Sequence, residues 1–309
     1  MRTIIEHNNP HCGFFYEIGS VIVHRKSKWQ DIELAESPEF GKVLLLDGIT
    51  QVGFKGEERY HETLVIPAMI AHPDARKVLI IGGGDGCVLR EVLAFKGVRQ
   101  VVMVDIDSEV ISVSKEYLTE LNKKAFEDSR LMLEIGDGRA FVEQCPDNSF
   151  DVVIMDMTDP FGPSERLYTK EFFMQIQRIL KGPEGVFAMH GESSIARPIG
   201  WACIYRTLKA VFPIVRTAFA FVPMYGTLWS FQFSSDATDL LTFSNPIIKP
   251  LDELEACIAE KRSEEPRFAK AAMWPSLFAE DPTAKAALSF PQSRVITDSE
   301  PHFPDAFEP

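Results

Sequence analysis

The stretch Val78-Leu79-Ile80-Ile81-Gly82-Gly83-Gly84-Asp85-Gly86 decides the fold. Four apolar residues make a buried strand, and the glycines let the backbone turn tightly beneath a ligand. Val88-Leu89-Arg90-Glu91-Val92-Leu93 then begins a helix whose N-terminus faces that ligand. A second apolar strand, Val101-Val102-Met103-Val104, ends in Asp105, 23 residues beyond Gly82. A carboxylate there can accept hydrogen bonds from both hydroxyls of a ribose. The pattern predicts the nucleoside-binding half of a doubly wound, Rossmann-like α/β sheet, of the kind that dehydrogenases and class I methyltransferases share.

Asp85 narrows the ligand. A loop that cradles pyrophosphate needs neutral residues and a positive field, and a carboxylate inside it opposes NAD and ATP. A nucleoside that carries positive charge fits better, and S-adenosyl sulfonium compounds are the common ones. The plainer alternative is that Asp85 only caps the following helix.

Composition limits the remaining classes. The chain has 309 residues, 45% hydrophobic and 25% charged, enough for one large or two unequal domains. No apolar run reaches membrane-spanning length, and Met1-Arg2-Thr3-Ile4-Ile5-Glu6 does not read as a secretory signal. Five scattered cysteines and seven histidines show no metal-ligand spacing, so reduced thiols in a cytoplasm and no metal are expected. A formal net charge of −13 argues against a nucleic-acid partner and suits a cationic substrate.

Residues 14–54 alternate short β-rich pieces, Ser20-Val21-Ile22-Val23-His24 and Lys42-Val43-Leu44-Leu45-Leu46, with polar turns, predicting a small antiparallel unit. The division expected is an N-terminal β-strand domain over 1–56 and a catalytic domain over 57–309. Tyr60 to Ile70 reads as a helix, and further strands are expected at Leu131–Ile135, Asp151–Met155 and Gly185–Met189. Two later strands flank Pro223-Met224-Tyr225-Gly226. Leu251 to Leu288 has a helical composition, and the Pro- and acid-rich end reads as an irregular tail.

Ligands of open α/β sheets bind outside the C-terminal ends of the strands. The residues expected there are Asp85, Asp105, Asp137-Gly138, Asp156 through Asp159, and Glu192, so acid recurs at every such end. Asp156 leaves a buried strand directly into the crevice, and Asp159, held before Pro160, can face the same cavity.

These residues carry a resemblance. Gly82-Gly83-Gly84-Asp85-Gly86, Leu89-Arg90-Glu91-Val92, Asp105-Ile106-Asp107, Gly136-Asp137-Gly138 and Asp156-Met157-Thr158-Asp159-Pro160 resemble the polyamine aminopropyltransferases, the spermidine synthase family. Leu46-Asp47-Gly48-Ile49-Thr50-Gln51 and Tyr60-His61-Glu62 match the family's approach to the core, and the similarity runs from roughly Phe15 to Phe233. The resemblance implies transfer of the aminopropyl group of decarboxylated S-adenosylmethionine to an amine, with release of methylthioadenosine. It implies no tightly bound cofactor and a homodimer or homotetramer. By resemblance, Asp156 is the base, and Asp159, Tyr60, Tyr225 and Glu192 hold the amine. Asp105 binds the ribose, Asp137 the adenine amino group and Asp85 the amine of the aminopropyl arm, while Gln51, His61, Gly82, Gly84 and Gly138 line the nucleoside site.

The chemistry accounts for the acids. Sulfonium is already a good leaving group, but an alkyl amine of pKa ~10.4 is almost wholly protonated at neutral pH. A carboxylate at Asp156 can orient it and take its proton. Plainer readings stand beside these roles: Tyr60 and Tyr225 as core aromatics, His61 as a satisfied buried histidine, Asp107 as a helix cap, and Arg90 with Glu91 as a structural pair.

The chain departs from the commonest putrescine-using pattern at Asp105, Met157-Thr158, His190 and Ile195, the last standing where a Trp is usual. Loss of that Trp is expected to lengthen or widen the amine pocket. Putrescine leads as acceptor, with agmatine, cadaverine and spermidine as alternatives. A small-molecule methyltransferase and a non-catalytic polyamine- or nucleoside-binding protein are the competing functions. Methyltransferases generally place an acid two residues before the first loop glycine, where this chain has Ile80.

Overall fold

The computed structural model describes residues 1–160, 162–244 and 249–305. It opens with an antiparallel hairpin, β1 (Arg2–Asn9) and β2 (Cys12–Ile18), in which Ile5 lies opposite Phe15. A four-stranded antiparallel sheet follows in the order β3 (Val21–Lys26), β4 (Asp31–Ser37), β5 (Gly41–Leu46), β6 (Ile49–Gly53). The antiparallel unit therefore begins earlier than residue 14 and comprises two sheets. The hairpin escapes a pattern search because its large apolar residues Ile5 and Phe15 are exposed rather than alternating inward.

The helix α1 (Glu58–Ala71) leads into β7 (Lys77–Gly82), α2 (Cys87–Leu93), β8 (Gln100–Asp105), α3 (Ser108–Tyr117), α4 (Thr119–Asn122) and β9 (Leu131–Ile135). Then come α5 (Gly138–Gln144), β10 (Val152–Asp156), α6 (Lys170–Ile179), β11 (Val186–His190) and α7 (Pro198–Lys209). A closing hairpin, β12 (Ile214–Val222) and β13 (Thr227–Ser235), joins the same sheet. The strand order is β12-β13-β11-β10-β7-β8-β9, parallel from β11 to β9 and antiparallel at the hairpin.

The central strands are buried on both faces, which is why they read as continuous apolar runs. Val78, Ile80, Val101, Met103, Val152 and Ile154 share one core with α1 and α2. Leu79, Ile81, Val102, Val104, Val153 and Met155 share the other with α6 and α7. The small sheet is not separate: Ile32, Leu34, Leu44 and Val52 pack with Cys87, Val110 and Leu121.

The strand order reverses between β7 and β10, so the ligand crevice of a doubly wound sheet opens there. Gly82 pairs with Asp156 across that point, and the Gly83 N–H donates to the Asp156 carbonyl at 2.9 Å. Gly82 has φ +80°, and a Cβ on it would lie 2.2 Å from the Asp156 carbonyl oxygen. Only glycine fits.

The expected helical region 251–288 is broken. It consists of α-helical turns at Leu251–Lys261, Trp274–Leu277 and Pro282–Ala287, with a 3₁₀ turn at Ala271–Met273. Pro266, Pro275 and Pro282 forbid one continuous helix. The tail is irregular yet anchored, since Ile296 and Phe303 are buried and Asp298 pairs with Arg139. No helix among the described residues is long and apolar enough to cross a membrane.

Candidate active site

A cavity of about 660 Å³ lies over the reversal point, and all the predicted site residues line it. Asp85, Asp105 and Asp156 reach it from the ends of β7, β8 and β10, Asp137 from the start of α5, and Asp159 and Glu192 from the loops beyond. Gln51 comes from β6, Tyr60 and His61 from α1, and Tyr225 from the β12–β13 turn; Gly82, Gly84 and Gly138 complete the loops.

The plainer reading of Asp85, a helix cap, accounts for one of its two oxygens. Oδ1 accepts the Cys87 N–H at 2.7 Å as a helix cap, while Oδ2 lies 3.7 Å from His61 Nε2. His61 is buried, and its Nδ1 donates to Glu57 Oε2 at 2.7 Å and to the Glu57 carbonyl at 2.9 Å. Burial alone would discharge the imidazole, but the Asp85 and Glu57 carboxylates outweigh it and push its pKa up to about 10. His61 is thus a cation that fixes Asp85.

Glu57 in turn takes Arg90 Nη2 at 2.9 Å and pairs with Arg267. Although Glu57, His61 and Cys87 cluster closely, a metal ion would have to displace two guanidinium groups and an imidazolium there. Burial holds the Cys87 thiol protonated, so the cluster is an ion-pair network. Arg90 and Glu91 pair at 2.8 Å and Asp107 caps α3 through the Glu109 N–H, both as their plainer readings had it.

Asp156 is the centre of the site. Tyr60 donates its hydroxyl to Asp156 Oδ1 at 2.7 Å, so Tyr60 is a buried aromatic and a polar contact at once. Burial and the neighbouring Asp85 push Asp156 up to about 6, against the opposing pull of His61 and Tyr60. Asp105 is likewise raised to about 6 by burial and its acidic neighbours, and its Oδ1 accepts the Asp107 N–H at 2.8 Å. Asp137 stands exposed at the mouth, with one oxygen capping α5 through Arg139 and Ala140.

The far end is built from residues that sequence reasoning partly missed. Glu192 sits at φ +65°, pinned where Ser230 Oγ and N–H donate to its carbonyl at 2.7 and 3.1 Å. Burial and Asp159 hold its carboxyl well above the ordinary range. Glu6 from β1 also lines the cavity, tied to the Thr50 N–H at 2.8 Å. Arg197 and Trp229 join it from the loop before α7 and from β13. Trp229 packs on Tyr225 at 4.9 Å between ring centres and on His190 at 5.9 Å. Tyr225 donates to the Gln51 carbonyl at 3.0 Å. Ile195 does not line the cavity: it is 57% exposed, while its neighbours Ser193 and Ala196 face inward. The expectation that its size sets the amine pocket is corrected accordingly.

The arrangement is a nucleoside crevice in which acids converge and one buried carboxylate carries a phenol donor. A model of the spermine/spermidine synthase domain matches residues 57–245, and one of the spermidine synthase tetramerisation domain matches residues 3–53. The chain belongs to the spermine/spermidine synthase family. The polyamine aminopropyltransferase of Nitrosomonas europaea is 38% identical over 240 residues, 78% of this chain and 73% of that one. Polyamine aminopropyltransferase 1 of Aquifex aeolicus is 43% identical, over 73% of this chain and 79% of its own. The crystal structure of spermidine synthase from Thermotoga maritima superposes with a TM-score of 0.83 at 32% identity, covering 93% of this chain and 94% of that one. A spermidine synthase in complex with the transition-state analogue AdoDATO superposes with a TM-score of 0.84, with the same identity and coverage. The chain is accordingly an aminopropyltransferase-type enzyme, with the Rossmann-like fold its central strands predict.

Proposed function

We propose that this aminopropyltransferase takes decarboxylated S-adenosylmethionine as donor and putrescine as its main acceptor. One observation carries the reading: Asp156, buried at the reversal point, bonded to Tyr60 and facing Asp85 and Asp105. The amine nitrogen attacks the methylene bonded to sulfur, the C–S electrons pass to sulfur as methylthioadenosine leaves, and the nitrogen's proton passes to Asp156. Protonating a carboxylate of pKa about 6 from an amine of ~10.4 is uphill by about four pH units, ~6 kcal/mol. That is a minor part of the ~17 kcal/mol barrier of a reaction turning over about once per second.

In this reading Asp105 holds the ribose, Asp137 the adenine amino group and Asp85 the aminopropyl ammonium, with Gln51, His61 and the glycines shaping that pocket. Tyr60, Tyr225, Asp159 and Glu192 surround the acceptor. The exposed pair Ile5 and Phe15 on the β1–β2 hairpin supports assembly with further copies of this chain, as the tetramerisation-domain match suggests. Five unpaired thiols suit a cytoplasmic setting. Incubation with decarboxylated S-adenosylmethionine and a panel of amines, with mass detection of products, is the test. Methylthioadenosine and spermidine are expected; methyl transfer to any amine, or no turnover, would overturn it.

A further inference from the structure

The far end of the cavity carries a cation of its own. Arg197 has a side chain only 10% exposed, and its Nη1 lies 3.4 Å from Asp159 Oδ2 and 3.4 Å from Glu192 Oε1. Its Nε donates to the Asn8 carbonyl at 3.3 Å, so the N-terminal hairpin closes over it. From the other side, Asp305 accepts the Gly200 N–H at 2.8 Å and adds a carboxylate that favours the charged guanidinium. The second oxygen of Glu192 is buried without a hydrogen-bond partner.

The cavity thus holds two charge clusters. The charged groups that act most strongly on Asp156 are Asp85, His61 and Asp105, whereas those acting on Glu192 are Asp159, Arg197 and Asp305. The first cluster faces the nucleoside and the reacting nitrogen. In the proposed reading the second receives the remainder of the acceptor. A guanidinium stays charged at any working pH. Among the described residues it faces Asp159, Glu192 and Asp305; because burial and Asp159 hold the Glu192 carboxyl well above the ordinary range, the two aspartates and the guanidinium leave one negative charge for a substrate cation beside Asp159. A further cation farther along the chain would meet Arg197.

We propose that Arg197 is a specificity-determining residue: its guanidinium, between Asp159 and Glu192, restricts the acceptor to amines with one cationic group beyond the reacting nitrogen. Diamines and an agmatine-like guanidino amine pass this restriction. Triamines do not. The inference rests on the proposed reading of this cavity as the amine-acceptor site.

The test compares spermidine with N-propyl-1,4-diaminobutane, which keeps the secondary amine but ends in a methyl group. Each competes with putrescine in the unmodified enzyme, and the propyl compound should compete at least tenfold better. In Arg197→Gln that order should vanish or reverse, and kcat/KM for spermidine relative to putrescine should rise at least tenfold. Arg197→Lys, which keeps the charge, should retain the original order. Calorimetric binding of the nucleoside donor reports whether each variant is folded. Spermidine competing as well as the propyl compound in the unmodified enzyme overturns the proposal even if Arg197→Gln does not fold. So does an unchanged acceptor ratio in a folded Arg197→Gln. Absence of turnover with every amine would instead remove the aminopropyl-transfer reading, and this inference with it.

Discussion

Replacing Asp156 by Asn should make the ligand-free protein more stable while removing most of its turnover. The carboxyl is raised in the fold from its ordinary 3.8 to about 6, chiefly by burial and by Asp85. Its folded pKa therefore lies above the unfolded one, so folding costs nothing extra below about pH 4. The cost grows as pH rises and is complete above about pH 6. Two pH units at 1.36 kcal/mol each give about 3 kcal/mol. Asparagine keeps the shape and can still accept the Tyr60 hydroxyl, so it relieves that cost at pH 8 and relieves almost none at pH 4. Urea unfolding at both pH values measures the difference, which corresponds to a melting shift of about 5 °C at pH 8. Turnover should fall on the order of a hundredfold or more, the usual scale for a lost base, with nucleoside binding retained. An Asn variant less stable than the parent at pH 8, or equally stabilised at both pH values, would refute the reasoning. Near-normal turnover would leave Asp156 a structural acid.

Tyr60→Phe removes a hydrogen bond that favours the ionised Asp156, worth about 1.5 kcal/mol. The acid limb of the kcat/KM profile should therefore move up by about one pH unit, and an unmoved limb would separate Asp156 from it. Ile195→Trp should leave the acceptor range unchanged, because the side chain is exposed, whereas Trp229→Ala should broaden it by enlarging the cavity wall. Competition among putrescine, cadaverine and agmatine reads both, and the opposite pattern would put Ile195 back at the pocket.

The central strands could be read from sequence because burial on both faces leaves nothing but apolar residues between glycine and acid. The acidic ends Asp85, Asp105 and Asp156 could be read for the same reason: each follows such a run, and the sheet's geometry sends them to one crevice. Asp85 shows the limit of reading a loop acid: the helix cap that the sequence offers takes one oxygen, while the His61 beside the other carries no local signal. Glu6, Arg197 and Trp229 carry no local signal. They meet only because the first hairpin crosses the cavity and the β12–β13 hairpin extends the sheet beside β11. Ile195 could not be placed from sequence: in an irregular loop no periodicity says which of Ser193, Ile195 and Ala196 faces inward. The tail's acids were legible as composition, but not as the anchors that Asp298 and Asp305 become on Arg139 and Gly200.

The most direct test of an acidic crevice that selects a cationic donor is a paired titration by calorimetry. Decarboxylated S-adenosylmethionine and intact S-adenosylmethionine differ by one carboxylate. Held about 4 Å from Asp85 at an effective dielectric constant of about 20, that group costs ~4 kcal/mol, and the adjacent His61 imidazolium offsets roughly half. The remaining ~2 kcal/mol predicts that the decarboxylated form binds about thirtyfold more tightly, and that Asp85→Asn removes most of the difference. Equal affinity of the unmodified protein for the two nucleosides would contradict the account.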